Sequence, residues 1–394
     1  MFVKYMRADS LDENLNFRSR RENPRNFHMI SKFKMKTKSL RRAAAGLALL
    51  AAGALLLAAA ANFPDFAEWY AVRVYPLLVN SVGRLTGLLP FSLVELLLYL
   101  LILLLLFTLI RMIVRTVRER RPGPALSWAS GLLLGAGILL FLYAVGCGVN
   151  YRRDSFTEEE GITAAEYSTD ELAAVCTWLT EEVNALADAV TRDAEGIMVP
   201  DENTGQAAVA AMSQLAQTYS SLSGFYPQPK RVLFSEILSV QSVTGVYSPF
   251  TIEANYNGDM TGYDIPFTMC HELSHLRGFM EEKEANYIAF LACIGSERDD
   301  FRYSGYLSGW VYCMNALYKT DRETWRAIRA ELVETADADL AANSAFWEQY
   351  EGTVSEVQSS VNDSYLKASG QSEGVAGYDR IVDLIVTYFL TTDE

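Results

Sequence analysis

Three apolar stretches near the amino terminus constrain the fold more than any other feature of this chain. They run from about Ala43 to Ala61, from about Pro90 to Val114 and from about Leu126 to Val149. Each is long enough to cross a bilayer core, which takes about 20 helical residues. A helix is the form in which such a segment satisfies its own backbone inside lipid. The sequence therefore predicts a membrane domain over residues 43–150 with three transmembrane helices.

Basic residues predict how these helices are oriented. Residues 1–42 form a polar leader rich in Lys and Arg, and five arginines, from Arg111 to Arg121, lie at the end of the second apolar stretch and in the connection to the third. The connection over residues 63–89 carries only two arginines, and its aromatic residues favour an interfacial segment. Because short cytoplasmic loops are enriched in Lys and Arg, we expect a cytoplasmic leader, a multi-pass cell-membrane protein and an extracytoplasmic domain over residues 151–394.

Charge divides the chain at the same boundary. Residues 1–150 contain 19 Lys and Arg against 8 Asp and Glu, whereas residues 151–394 contain 15 against 40. An acidic domain of this kind repels the phosphate backbone of DNA and RNA. We therefore exclude nucleic acid as a partner and expect the lipid bilayer to be one.

The carboxy-terminal domain has the pattern of a mainly helical fold with a small sheet. Periodic apolar positions predict helices over residues 163–194, 206–222, 282–294, 303–317, 321–340 and 378–390. The segment from Tyr247 to Tyr256 is rich in β-prone residues, and Pro249 within it favours an edge strand or a bulge.

Two of only three histidines stand four residues apart in His271-Glu272-Leu273-Ser274-His275. On a helix, positions four apart share one face, so both imidazoles can reach one metal ion. Glu272 lies about 100° further round the helix, where it can act on water as a general base. This H-E-x-x-H pattern predicts a Zn²⁺ hydrolase site with His271 and His275 as ligands and Glu272 as the catalytic base.

A third protein ligand is expected, because catalytic zinc usually keeps three protein ligands and one open position. The remaining histidine, His28, belongs to the leader, so the third ligand is expected to be a carboxylate or a cysteine. Three carboxylates follow the motif closely, and each is a candidate ligand: Glu281, Glu282 and Glu284.

The residues after the motif resemble the gluzincin metallopeptidases, in which a helix bearing E-x-x-[AS]-[DN] follows H-E-x-x-H. Glu282-Lys283-Glu284-Ala285-Asn286 fits that pattern. The resemblance implies that Glu282 is the third zinc ligand and that Asn286 orients a histidine of the first helix. It also implies a zincin-like α+β metallopeptidase fold for the helical domain with its small sheet.

A closer resemblance covers most of residues 40–320. The three spans, Pro90-Phe91-Ser92, Pro249-Phe250-Thr251, His271 to Gly278 and Arg302 to Tyr306 are similar to an uncharacterised bacterial membrane family. That family is known only as a domain of unknown function, and its members are regarded as zinc metallopeptidases. Membership implies peptidase chemistry without naming a substrate.

These observations lead to the hypothesis of a membrane-anchored zinc metallopeptidase, an endopeptidase of extracytoplasmic proteins or peptides. The substrate is expected to pair with the strand from Tyr247 to Tyr256. Tyr303, Tyr306 and Arg302 are candidates to stabilise the oxyanion. The alternative is a non-catalytic membrane sensor or scaffold with a zinc-binding ectodomain.

Overall fold

A computed structural model describes residues 24–369, 371 and 380–392 of the chain. Residues 1–23 of the expected leader lie outside this described part, as does Tyr378, where the last helix is expected to begin. Three helices are long enough and apolar enough to cross a membrane, over Thr37–Asn62, Leu93–Glu119 and Gly123–Gly148. The three apolar stretches therefore form helices that can span a bilayer.

The amino-terminal part consists of these long helices and a chain of short ones between the first and the second. The α-helices are α1 (Pro24–Asn62), α2 (Pro64–Trp69), α3 (Tyr75–Leu78), α4 (Arg84–Thr86), α5 (Leu93–Glu119) and α6 (Gly123–Tyr143). Wider π-helical turns join or extend them at Tyr70–Val74, Val79–Gly83 and Ala144–Gly148.

Helices α1 and α6 pack closely through glycine. A β-carbon on Gly137 would lie 2.5 Å from the carbonyl oxygen of Gly46, so that an alanine there would push the two backbones apart. Gly131 and Gly135, on the same helix, have nothing within 4 Å of such an atom. Helix α5 lies more openly and exposes most of its leucines, which suits contact with lipid.

The carboxy-terminal part is mainly helical. Its α-helices are α7 (Phe156–Glu159), α8 (Thr169–Leu186), α9 (Thr204–Thr218), α10 (Glu236–Ser239), α11 (Asp264–Leu276), α12 (Glu282–Ile294), α13 (Asp299–Thr320), α14 (Arg322–Arg329), α15 (Glu334–Glu348), α16 (Thr353–Ser369) and α17 (Ile381–Thr392). One buried apolar core joins α8, α11, α12, α13 and α17.

A three-stranded sheet packs against α11. It contains β1 (Lys230–Arg231), β2 (Gly245–Ser248) and β3 (Glu253–Tyr256) in the order β1-β3-β2. β1 runs parallel to β3, whereas β2 is antiparallel to it, with Tyr247 opposite Ala254. β2 is therefore an edge strand.

The sheet docks on the amino-terminal end of α5. Glu253 of β3 accepts hydrogen bonds from the backbone N–H groups of Leu93 and Val94, at 3.2 and 3.0 Å. Glu95 in the first turn of α5 accepts bonds from the N–H groups of Leu233 and Phe234, at 2.8 and 3.0 Å. These reciprocal bonds satisfy the free N–H groups of the helix end and tie it to the domain.

Two predicted elements differ in the structure, one because of a local turn and one because of a tertiary contact. The strand expected from Tyr247 to Tyr256 is a hairpin, whose turn begins at Pro249 and contains Ile252 at a φ of 53°. The helix expected over residues 321–340 is interrupted between α14 and α15. There Asn184 accepts a bond from Val333 N (2.9 Å) and donates one to the Glu331 carbonyl (2.8 Å), so these groups leave the helical pattern.

One further expectation is corrected at a helix boundary, and one helix of the domain was not predicted. The first helix of the domain begins at Thr169 instead of residue 163, because Ser168 and Glu171 form a reciprocal capping box that fixes its start. Helix α16 was not predicted from the sequence; its outer face carries three exposed valines, Val354, Val357 and Val361.

Candidate metal centre

The H-E-x-x-H motif lies on α11, and the candidate third ligand lies on α12. Pro266 occupies the first turn of α11, where its missing N–H group costs nothing. Gly278 follows the helix with a φ of +97°, a left-handed conformation that favours glycine and reverses the chain. The reversal brings the first residue of α12, Glu282, back over the motif face of α11.

Three side chains converge at this point. The potential ligand atoms of His271, His275 and Glu282 all lie within 4.8 Å of one another. Nε2 of His271 is 3.3 Å from Oε2 of Glu282, and Nε2 of His275 is 3.7 Å from Oε1 of the same carboxylate. The two imidazole rings are 4.6 Å apart and nearly perpendicular. Two nitrogen donors and one carboxylate facing a common point are a donor set that suits Zn²⁺.

Burial and charge shift the acid–base behaviour of these groups. Burial alone would raise the pKa of Glu282, but the adjacent His275 and His271 outweigh it and lower that pKa. Burial alone would lower the pKa of His275, but the Glu282 carboxylate raises it to about 9. The pair therefore attracts cationic charge, as either a proton or a metal ion.

Glu272 is buried beside the two histidines. Burial raises the pKa of its carboxyl to about 7, although the histidines oppose the shift. Its Oε2 atom is buried without a hydrogen-bond partner. Gly245 of β2 lies against this side chain, because a β-carbon at position 245 would stand 2.6 Å from Oε1 of Glu272. The edge strand can approach the glutamate this closely only because it carries no side chain there.

The orientation of His275 depends on a backbone group. Nδ1 of His275 is 2.8 Å from the carbonyl oxygen of Phe279, which leaves Nε2 facing Glu282. Asn286, which the resemblance assigned to this role, lines the cavity, but its Nδ2 atom has no hydrogen-bond partner. Nδ1 of His271 also lacks one. In the structure, the Phe279 carbonyl is the group that orients His275.

The structure separates Glu282 from the other two candidate carboxylates. Glu284 is fully buried and accepts hydrogen bonds from the hydroxyl and the backbone N–H of Thr157, at 2.9 and 3.1 Å. Glu281 pairs with Lys283 at 3.2 Å. Among the three, only Glu282 reaches the histidines.

A cavity of about 830 Å³ opens beside the cluster. His271, Glu272, His275 and Glu282 line it on one side, and β2 lines another. Helix α16 contributes a mostly polar face to the wall. The cavity is large enough to hold several residues of a peptide.

The tyrosines expected to stabilise the oxyanion lie elsewhere. Tyr303 is fully buried and donates a hydrogen bond to Asp339 at 2.5 Å. The ring of Tyr306 packs against Trp178 at 5.6 Å. Neither lines the cavity, whereas Tyr312 of the same helix does. Since nine residues turn a helix by about 900°, Tyr312 faces the side opposite to Tyr303.

Two arginines also lie away from the cavity. Arg302 pairs with Asp299 on the first turn of α13. Arg277 donates a hydrogen bond to the Ser223 carbonyl at 2.7 Å, and its guanidinium lies over the ring of Tyr226. The side chains of Tyr303, Tyr306 and Arg302 therefore contact other groups and do not line the cavity.

Sequence reasoning missed Gly245, the Phe279 carbonyl and the polar face of α16. A glycine that opens a β-prone segment was the available signal for the first. The position of the Phe279 carbonyl depends on the chain reversal, and the position of the polar face of α16 depends on packing between distant segments. Neither leaves a local sequence pattern.

Comparison with known proteins gives one family. Residues 70–386 match a family described as "Protein of unknown function (DUF3810)". No curated protein and no solved structure matches the chain. The match includes the metal cluster, both strands of the hairpin and the second and third membrane-spanning helices. The chain belongs to the DUF3810 family of proteins of unknown function.

Proposed function

We propose that this protein is a membrane-anchored zinc metallopeptidase that hydrolyses peptide bonds in proteins or peptides outside the cytoplasm. The observation that carries the proposal is the convergence of His271, His275 and Glu282 beside the buried carboxyl of Glu272. In this proposal the sheet and helices α11 and α12 form a zincin-like catalytic unit of the gluzincin type.

His271, His275 and Glu282 would hold Zn²⁺. Their three donors come from two helices joined by a short turn, so folding itself sets their spacing. Zn²⁺ bound there supplies Lewis acidity, which activates water and polarises a peptide carbonyl. Three protein ligands leave a coordination position open, which distinguishes catalytic from closed structural zinc sites.

Glu272 would move the protons. It lies beside the histidines, and burial keeps its carboxyl poised between the charged and neutral forms near neutral pH. The carboxylate accepts a proton from the attacking water and passes it to the leaving nitrogen. One C–O bond forms, the C–N bond breaks, and the reaction consumes one water molecule.

The edge strand β2 would bind the substrate backbone. It borders the cavity, and its pairing with β3 leaves one edge that an extended peptide can reach. The segment expected to pair with the substrate was Tyr247–Tyr256. In the hairpin, only its β2 part has a free edge for this pairing. β3 is the central strand and already pairs on both sides.

The proposed sidedness is supported by the positions of the arginines along α5. The domain contacts the first turn of α5, whereas Arg111, Arg115 and Arg118 lie near its other end. A helix of this length separates its two ends by about 40 Å. If the arginines are cytoplasmic, as the positive-inside rule requires, the metal centre lies outside the cytoplasm.

The full-length protein in detergent or nanodiscs tests the proposal through bound zinc and through cleavage of denatured casein. Glu272→Gln should keep the zinc and lower cleavage by about 10²–10⁴-fold, the usual effect of losing a general base. His271→Ala and Glu282→Ala should lose zinc as well. Glu281→Gln is the matched control, because the Glu281 carboxylate is adjacent to Glu282 in the sequence but lies outside the cluster. This variant should change neither the bound zinc nor the rate of casein cleavage.

Full activity in Glu272→Gln would contradict the base role. A wild-type protein that binds zinc but cleaves no peptide would favour the sensor or scaffold instead.

A further inference from the structure

The candidate metal centre and the third membrane-spanning helix share one cavity. Tyr143 and Cys147 line it together with His271 and Glu272. Tyr143 and Cys147 belong to the apolar helix Gly123–Gly148 and lie close to its carboxy-terminal end. A cavity of about 830 Å³ has a linear dimension on the order of 10 Å, which an extended chain covers in about three residues.

Direct contacts also join the catalytic elements to the membrane-spanning part. Tyr247, in the strand that borders Glu272, donates a hydrogen bond from its hydroxyl to the Gly146 carbonyl at 2.9 Å. A β-carbon on Gly146 would lie 2.3 Å from the carbonyl oxygen of Pro249, so that the two segments are in close contact. No spacer therefore separates the described metal centre from the end of the span.

The surface of the domain next to the first turns of α5 is also apolar. Leu233, Phe234 and Ile237 are each about half exposed or more. The N–H groups of the first two bind Glu95, and the ring of Phe234 lies 5.9 Å from that of Tyr99. Glu95 and Tyr99 are in the first two turns of α5, so these exposed side chains lie where the helix enters the bilayer. Aromatic and aliphatic side chains at this depth suit the membrane interface.

We propose that the substrate is a membrane-anchored protein, cleaved within about ten residues of its own membrane anchor. The inference rests on the peptidase function proposed above. A site at the bilayer surface is reached first by the segment that emerges from lipid. Anchoring the substrate in the same bilayer also raises its concentration at the cavity.

A membrane-anchored peptide with tandem repeats tests this inference. It serves as a ruler for the distance between the membrane anchor and the cleavage site. The wild-type protein is reconstituted in nanodiscs with a single-span peptide that carries four identical decapeptide repeats and a distal tag. The repeat is a casein decapeptide that the detergent-solubilised protein cuts, and mass spectrometry identifies the repeat that is cleaved. Each extended repeat spans about 33 Å. We expect the repeat next to the anchor to be cut about tenfold faster than the fourth, as effective concentration falls with tether length.

Two controls make the result specific. The same four repeats without an anchor should be cut at similar rates, which shows that repeat position alone has no effect. Glu272→Gln should cut neither ruler. Cleavage of the anchored ruler that is even, or fastest at the distal repeat, would overturn the inference and leave the peptidase function standing. If no casein decapeptide is cut by the zinc-loaded protein, both proposals fail.

Discussion

Gly245 faces Glu272 so closely that a β-carbon at position 245 would lie 2.6 Å from Oε1 of the glutamate. The proposed base is thus held against backbone on one side and against the histidines on the other. Gly245→Ala must displace either β2 or the carboxylate. We expect a loss of casein cleavage of about tenfold or more, since small displacements of a catalytic group are costly.

Zinc content should stay unchanged in Gly245→Ala, because the atoms nearest to the added β-carbon belong to Glu272 and Thr268 and not to the three candidate ligands. Gly135→Ala is the matched control, since nothing lies within 4 Å of the added atom, and it should retain activity. Unchanged cleavage by Gly245→Ala would show that the contact with Glu272 has no catalytic consequence.

The hydroxyls of Tyr75 and Tyr247 lie 2.8 Å apart and connect α3 to strand β2. Tyr75 also reaches the Leu276 carbonyl (3.0 Å) at the end of α11, and Tyr247 reaches Gly146 (2.9 Å). Both tyrosines are buried, so that a lost hydrogen bond leaves a carbonyl unsatisfied, at a cost of about 1–3 kcal/mol. We expect Tyr75→Phe and Tyr247→Phe each to lower the melting temperature in detergent.

The double variant should lose less than the sum of the two single losses, because the hydroxyls share one network. Tyr318→Phe, at an exposed ring, is the control and should melt like the wild type. Strictly additive losses would show that the two hydroxyls act independently.

Periodicity and spacing were enough to predict the parts of the molecule that depend on local sequence. The three long helices follow from uninterrupted apolar runs, and the pairing of His271 with His275 follows from the four-residue repeat of a helix. The family resemblance was needed to choose Glu282 among three neighbouring carboxylates. In the structure Glu282 lies beside the two histidines because Gly278 reverses the chain, whereas Glu284 accepts a hydrogen bond from Thr157.

The features that the sequence did not predict depend on contacts between distant segments. Tyr303 and Tyr306 share a helix with Tyr312, and nothing in the sequence tells which face of α13 meets the cavity. The orientation of His275 by the Phe279 carbonyl is a backbone contact that no side-chain motif encodes. Likewise, Asn184 breaks a predicted helix from almost 150 residues away along the chain.

A buried ion pair joins two strands of the sheet and contacts the neighbouring helices α4 and α5. Lys230 pairs with Glu253, and its ammonium donates a second bond to the Thr86 carbonyl at 2.7 Å. Removing one member of a buried pair costs about 3–5 kcal/mol, because the other charge is left without compensation. We expect Lys230→Met to lower the melting temperature strongly, and Lys230→Met with Glu253→Gln to lower it less.

The control for this pair is Lys367→Met. Lys367 pairs with Asp363 at 2.7 Å on the exposed side of α16, where such a bridge contributes about 0–1 kcal/mol. The melting temperature of the Lys367→Met variant should stay close to that of the wild type. A double variant that is less stable than Lys230→Met would show that Glu253 contributes mainly as an acceptor for Leu93 and Val94.

Asp264 at the start of α11 gives the domain a pH-dependent stability. Burial raises the pKa of its carboxyl to about 7, although a hydrogen bond from Thr261 opposes the shift. The Thr261 hydroxyl has one proton and faces two acceptors, Asp264 at 3.2 Å and Asn343 at 2.9 Å. A neutral Asp264 resolves this arrangement by donating to Thr261, which then donates to Asn343.

Folded Asp264 therefore keeps its proton up to about pH 7, whereas an unfolded Asp releases it near pH 3.9. The unfolded state loses the proton first, so that stability falls as the pH rises from about 4 to about 7 and then levels off. Asp264→Asn keeps a donor toward Thr261 and has no charge to bury. We expect the melting temperature of the variant to exceed that of the wild type by several °C more at pH 8 than at pH 5, since about 1 kcal/mol shifts it by about 2–4 °C in a domain of this size. An equal difference at both pH values would show that Asp264 is already charged in the folded protein.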